Sequence, residues 1–270
     1  MERKNFIKSI ALASLSFSLL ESCSQEAKTC KETPIGEEGP FPTHSPAKFI
    51  TQNIVSDRVG TPLKVHITVN NINNKCEALV GAYVDIWHCD SKGDYSEYGG
   101  DSMAPPNRMN EKEPPHGPPP GGFNDSAHHN GLPPGGRPGG PGGPPPGGGG
   151  SMQATDYTQK HFLRGRQITN TEGLAVFTSI YPGWYAGRAT HVHVHVFDEK
   201  GTSLLITQIA FPEAITKDVY TNGVYKKHGL ADTTNQDDHV FKGSIANELA
   251  TVSGNLKEGY ILTHAIFVKG

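Results

Sequence analysis

The chain has 270 residues, with 24 Lys and Arg against 27 Asp and Glu, for a formal net charge of −3 at pH 7. That balance gives no electrostatic footprint for nucleic acid or for an anionic membrane surface, and it favours a small neutral or anionic partner. Setting aside an export signal and one Gly/Pro-rich stretch leaves roughly 200 residues, enough for a single domain with its own core.

Residues 1–22 read as an export signal. The basic start Met1-Glu2-Arg3-Lys4 leads into an apolar run at 9–20 that is too short to span a bilayer. Leu20-Glu21-Ser22-Cys23 follows the pattern of a bacterial lipobox, with Glu21 a poor fit at its position. Cys23 is then the expected lipid anchor and the expected sole link to a membrane, placing the protein in the cell envelope on the periplasmic or cell-surface side. Arg3-Lys4-x-Phe6-Ile7-Lys8 also resembles a twin-arginine signal with Lys in the second basic place, so export by the Sec or the twin-arginine route stays open. Beyond Cys23 the cysteines are Cys30, Cys76 and Cys89. Cys76 and Cys89 flank one expected strand and lie too far apart along it to meet, which leaves Cys30 to pair with either, or all of them free.

Residues 23–45 form an irregular arm carrying Glu38-Gly39-Pro40-Phe41, and the expected catalytic domain spans 46–270. Within it, 65–70 alternates apolar and polar residues as a half-buried strand does. Segment 82–88 repeats the period with Val84, Ile86 and His88 on one side, and 174–180, 190–197, 204–211 and 260–268 are further strand candidates. Short strands separated by Gly, Pro and Asn turns predict a mainly β chain, a β-sandwich with few short helices. Residues 244–250 read as a short helix or a loop. Between these elements, 103–151 is dominated by Gly and Pro, without a strict Gly-X-Y period. It has too little apolar side chain to offset ordering entropy and reads as a disordered surface insertion, whose His116, His128 and His129 are expected to be solvated.

The chemistry lies in Val-flanked histidines. His191, His193 and His195 alternate with Val192, Val194 and Val196, so a strand sends all three imidazoles to one face. Tyr95 follows a strand and turn, and Tyr185 follows a Pro-Gly turn shortly before His191. A phenol ionises easily near neutral pH only beside a strong Lewis acid, so two tyrosines with two histidines point to a hard trivalent cation, with Fe(3+) the natural candidate.

At these residues the chain resembles the intradiol ring-cleavage dioxygenases, the protocatechuate and catechol dioxygenase family. The resemblance rests on Glu38-Gly39-Pro40-Phe41, segment 81–98, Phe162-Leu163-Arg164-Gly165, segment 173–196, Thr207-Gln208-Ile209-Ala210-Phe211-Pro212 and segment 232–238, in that order. It implies the family's β-sandwich core, with Tyr95, Tyr185, His191 and His193 as ligands of ferric iron. It also implies Arg188 as the active-site arginine, Gln208 as a polar residue near the substrate, and Tyr185 as a ligand that leaves and takes up a proton. The implied reaction is cleavage of a catechol ring by O2, between its two hydroxyl-bearing carbons, to a muconate-type dicarboxylic acid. His195 stands where many relatives carry a non-ligand, and no N-terminal helical dimerisation region is evident, as in short exported members. Two other classes compete: a non-enzymatic transthyretin-like or carbohydrate-binding β-sandwich, which gives no reason for the four ligands to coexist, and a zinc hydrolase, which lacks a carboxylate or thiolate set. The sequence names neither the catechol nor the oligomeric state.

Overall fold

The computed structural model describes residues 30–99 and 155–270. The export signal, Cys23 and the Gly/Pro-rich insertion with His116, His128 and His129 lie outside the described residues.

Period-two alternation builds the sandwich. Strand β1 (Pro62–Asn71) buries Leu63, Val65, Ile67 and Val69 on one face. The long strand at the other end of the described chain, β9 (Gly259–Val268), buries Tyr260, Leu262, His264, Ile266 and Val268 in the same rhythm. β1 runs parallel to β9, with Leu63 opposite Tyr260 and Asn71 opposite Val268. Its other edge pairs antiparallel with β5 (Leu174–Ile180) and, at the far end, with the short β2 (Glu77–Ala78). β8 (Thr251–Asn255) closes the outer edge of β9. The second sheet has the order β4-β3-β6-β7, formed by Arg164–Ile168, Tyr83–Trp87, His191–Phe197 and Ser203–Ala210, and is antiparallel throughout.

One core fills the space between the sheets. Val84, Ile86, Val192, Val194 and Val196 of the second sheet pack with Val65, Ile67, Phe177 and Leu262 of the first. Each side chain removed from water this way contributes about 1.5–3 kcal/mol. The helices are short, α1 (Glu213–Tyr220) and α2 (Ile245–Glu248). No helix among the described residues is long and apolar enough to cross a membrane.

The mainly β sandwich with few short helices is the expected architecture. The strand expected at 174–180 has those bounds, and those expected at 65–70, 82–88, 190–197, 204–211 and 260–268 all exist with ends shifted by a few residues. β2, β4, β8 and α1 are not marked by the sequence pattern. In β4 the charged Arg164 and Arg166 occupy buried positions and mask the strand pattern. Of the open cysteine pairings the structure contains Cys30–Cys76, with Cα atoms 6.0 Å apart, while Cys89 is buried and free.

Candidate metal centre

The second sheet turns a different chemistry away from the core. With Val192, Val194 and Val196 directed inward, alternation places His191, His193 and His195 on the outer side of β6. Register then assembles a row around the middle imidazole. His193 is paired with Trp87 of β3 on one side and Gln208 of β7 on the other, and Trp87 is paired with Arg164 of β4. Paired residues share a face, so Arg164, Trp87, His193 and Gln208 form one transverse row. The Trp87 indole lies flat on the His193 ring, with centroids 4.9 Å and planes 3° apart.

Loops deliver the tyrosines. Tyr95 follows a turn closed by Asp90, whose carboxylate accepts from the N–H groups of Lys92 and Asp94. Beyond it, Ser96 Oγ donates to Phe162 O. Tyr185 follows Gly183, where an added Cβ would collide with Asp90 O, so glycine lets the two tyrosine-bearing loops touch. Tyr95 Oη lies 3.5 Å from His191 Nε2 and 3.3 Å from His193 Nε2, and the two Nε2 atoms are 3.0 Å apart. The Tyr185 ring stands edge-on to His191 and to Tyr95, with centroids 5.6 and 5.7 Å away.

This donor set fits a cation. His191 Nδ1 donates to Ala189 O at 2.6 Å, which fixes its proton there and leaves the Nε2 lone pair facing the cluster. Buried His193 Nδ1 has no hydrogen-bond partner among the described residues, so its tautomer is set by what meets Nε2. Separations of 3.0–3.5 Å suit donors that share one metal ion at about 2.0–2.1 Å. No group of three or more His, Cys, Asp or Glu side chains able to hold a metal occurs among the described residues, so the phenols must complete any ligand set built on this pair.

Electrostatics agree with that requirement. Burial pushes the Tyr95 phenol well above its ordinary range and moves Tyr185 up to about 12, the nearby Arg188 charge opposing the latter shift. Burial, reinforced by Arg188, lowers His191 to about 3, and burial with the neighbouring His191 pushes His193 down as well. Neutral imidazoles are ready to donate. The phenols become anions here only if a strong positive charge sits among them.

Arg188 is buried, not a surface ion-pair residue. Its Nη1 donates to Tyr185 Oη at 3.2 Å, Nη2 to Gln208 Oε1 at 2.5 Å and Nε to Asp238 Oδ2 at 2.9 Å. Asp238 also accepts the Ala189 N–H at 2.7 Å, and Gln208 Nε2 donates to Glu37 O at 2.9 Å. The structure thus brings Tyr95, Tyr185, His191, His193, Arg188 and Gln208 into one cluster. His195 stays apart: its Nε2 meets Ser203 Oγ at 2.8 Å and its ring stacks on Phe197.

Three contributors had no assigned role from the sequence. Asp238 orients Arg188, and Trp87 backs His193. Arg164, fully enclosed, donates to Phe41 O, Thr43 Oγ1, Ser96 Oγ and Ser96 O, tying the N-terminal arm to the Tyr95 loop. Only the strand register reveals the part played by the last two, although both lie within segments already singled out, Trp87 in 81–98 and Arg164 in Phe162-Leu163-Arg164-Gly165.

Comparison with solved structures addresses the fold. An intradiol ring-cleavage dioxygenase from Tetranychus urticae superposes with a TM-score of 0.63 at 23% identity, covering 88% of this chain and 95% of that one. The dioxygenase domain of a dioxygenase carbohydrate-binding protein fusion from Streptomyces sp. SirexAA-E gives 0.52 at 20% identity, over 88% and 97%. The fold is that of the intradiol ring-cleavage dioxygenases. No protein-family model matches the chain, and no curated sequence does.

Proposed function

We propose that the protein is an iron(III) intradiol dioxygenase that cleaves a catechol between its hydroxyl-bearing carbons, incorporating both atoms of O2 to give a muconate-type dicarboxylic acid. The observation that carries this reading is the convergence of His191 Nε2, His193 Nε2 and Tyr95 Oη within 3.0–3.5 Å of one another, beside Tyr185. Tyr95, Tyr185, His191 and His193 would hold the metal. When bound, ferric iron supplies a Lewis acid that grips the catechol oxygens and draws electron density from the ring, opening it to attack by O2.

The chain's own residues handle protons and charge. Tyr185 Oη, the donor tied to Arg188, takes up a catechol hydroxyl proton as the substrate docks. Arg188 keeps its proton and offers Nη1 to negative charge developing on substrate oxygen. Asp238 and Gln208 hold the guanidinium by its other nitrogens, so little reorganisation is needed during reaction. Trp87, Phe41 and Tyr95 enclose the cluster in buried aromatic surface, which strengthens these interactions by excluding water.

Oxygen uptake by mature, iron-loaded protein across a panel of catechols tests the activity. Consumption matched by dicarboxylate product is expected. A red to burgundy protein that consumes no oxygen would leave only the iron site standing, and a colourless one that takes up no iron would favour a ligand-binding sandwich. We further propose an exported, lipid-anchored location, supported by the Cys30–Cys76 bond, since disulfides persist in oxidising compartments. Cys23→Ser should shift the protein from the membrane to the soluble fraction, and unchanged fractionation would refute the anchor.

A further inference from the structure

From the disulfide at Cys30 the arm runs to the candidate metal centre. Cys30 is bonded to Cys76 in the turn after β1. Thr33 then exchanges two hydrogen bonds with Phe267 of β9, its N–H donating to Phe267 O and its Oγ1 accepting from Phe267 N–H. The chain crosses to the second sheet, where Gly36 N–H donates to Ile206 O and Glu37 O accepts Gln208 Nε2. Gly39, at φ +73°, lies so close to the site that an added Cβ would stand 2.8 Å from His193 Cε1. Phe41 stacks on Tyr95 with ring centroids 4.4 Å apart and meets Tyr185 edge-on. One short segment therefore walls the face on which His193, Gln208 and Tyr95 meet.

Its noncovalent hold before Gly39 is slight. Ile35 is 79% exposed and buries almost nothing, and the Glu32–Lys269 pair is exposed at both ends. What remains is buried Thr33 with its two hydrogen bonds to Phe267, the Gly36 and Glu37 hydrogen bonds to β7 and a Glu38–His195 pair at 4.0 Å, each of modest net worth. The disulfide is therefore the main tether at this end. Both its cysteines are partly exposed, among exposed Asn74, Lys75 and Glu77, whereas Cys89 is sealed.

We propose that the Cys30–Cys76 disulfide is a redox-modification site that controls retention of the metal, by latching the arm over His193, Gln208 and Tyr95. This regulation presupposes the iron-binding reading above. The co-reactant is a dithiol. One of its thiolates attacks a sulfur of the bridge to form a mixed disulfide, which the second thiol resolves. The bridge gains two electrons and two protons, Cys30 and Cys76 become thiols, and the dithiol leaves as its own disulfide. Segment 30–38 is then free to open locally while the sandwich stays folded, and the site is exposed to water and to competing chelators.

Because a dithiol also reduces ferric iron, the test uses the Cys30→Ser/Cys76→Ser double variant without reductant. Oxidised wild type and variant are loaded with ferric iron and challenged with a hydroxamate chelator, and colour loss is followed. The metal-free proteins are digested briefly with a broad-specificity protease. The variant should release iron at least about tenfold faster and be cut within 31–41, with strand circular dichroism unchanged. Equal release rates, or equal protection of 31–41, would overturn the latch. Should the variant not fold, metal-free wild type that is reduced and alkylated after folding takes its place, with the same two readouts. Wild type that takes up no iron overturns the ferric reading instead, and proteolysis of the arm then still decides the latch.

Discussion

The side chains of the cluster can be removed one at a time, so the proposed division of labour can be read residue by residue. Tyr95→Phe and His193→Ala each remove an atom that faces the shared centre. Each should lose most bound iron or most visible absorbance, measured by metal analysis and the charge-transfer band. Tyr185→Phe should behave otherwise, keeping much of the iron through the other three donors while turnover falls by about 10²–10⁴ for want of the proton acceptor. Arg188→Ala leaves the donors in place, so its resting spectrum should stay near wild type while turnover drops by about 10²–10³. Wild-type turnover in Tyr185→Phe would end the proton-acceptor role even with the iron site confirmed.

Strands and loops determine whether those residues meet at all. Gly39 is the tightest contact of the arm, so Gly39→Ala combines a left-handed backbone with a Cβ pressed on His193. It should destabilise the metal-free protein by about 1–3 kcal/mol in urea titration and weaken iron retention. The histidines of β6 were legible in the sequence because strict alternation with valine leaves one choice of face, and β5 was legible for the same reason. Strand β4 was not: Arg164 and Arg166 sit where apolar residues are expected, because Arg164 spends its donors on buried carbonyls and hydroxyls and Arg166 pairs with Asp85. β8 leaves nearly every side chain exposed, so no period marks it, and α1 is too short to show one. The row of Arg164, Trp87, His193 and Gln208 depends on pairings of β3 with β4 and of β3 with β6, strands distant in sequence, which no local pattern encodes.

At the scale of the whole molecule, buried imidazoles couple folding to acidity. Burial lowers His264 to about 4, and burial with the Arg164 charge holds His88 at about 4 too. The unfolded chain protonates these groups near 6.5. Below that pH the unfolded state binds more protons, so stability falls as pH drops from about 6.5 toward 4 and levels off below, each imidazole costing up to about 3 kcal/mol. Urea midpoints of metal-free protein between pH 7.5 and 4.5 should show this slope, and His264→Leu should flatten it by about one proton. An unchanged slope would mean that His264 is protonated in the fold.

The parallel ladder between β1 and β9 carries a further consequence, for the order of events during synthesis. Residues 63–71 lie against 260–268, so one long edge of β1 has no neighbour until β9 has emerged. Closure of so wide a loop is slow, and a waiting edge of Val and Ile invites pairing with other chains. By the same logic, removal of 260–268 is more than the loss of an edge. It withdraws the partner of the central strand, and with it the sheet on which the other sheet, and its candidate metal centre, is packed.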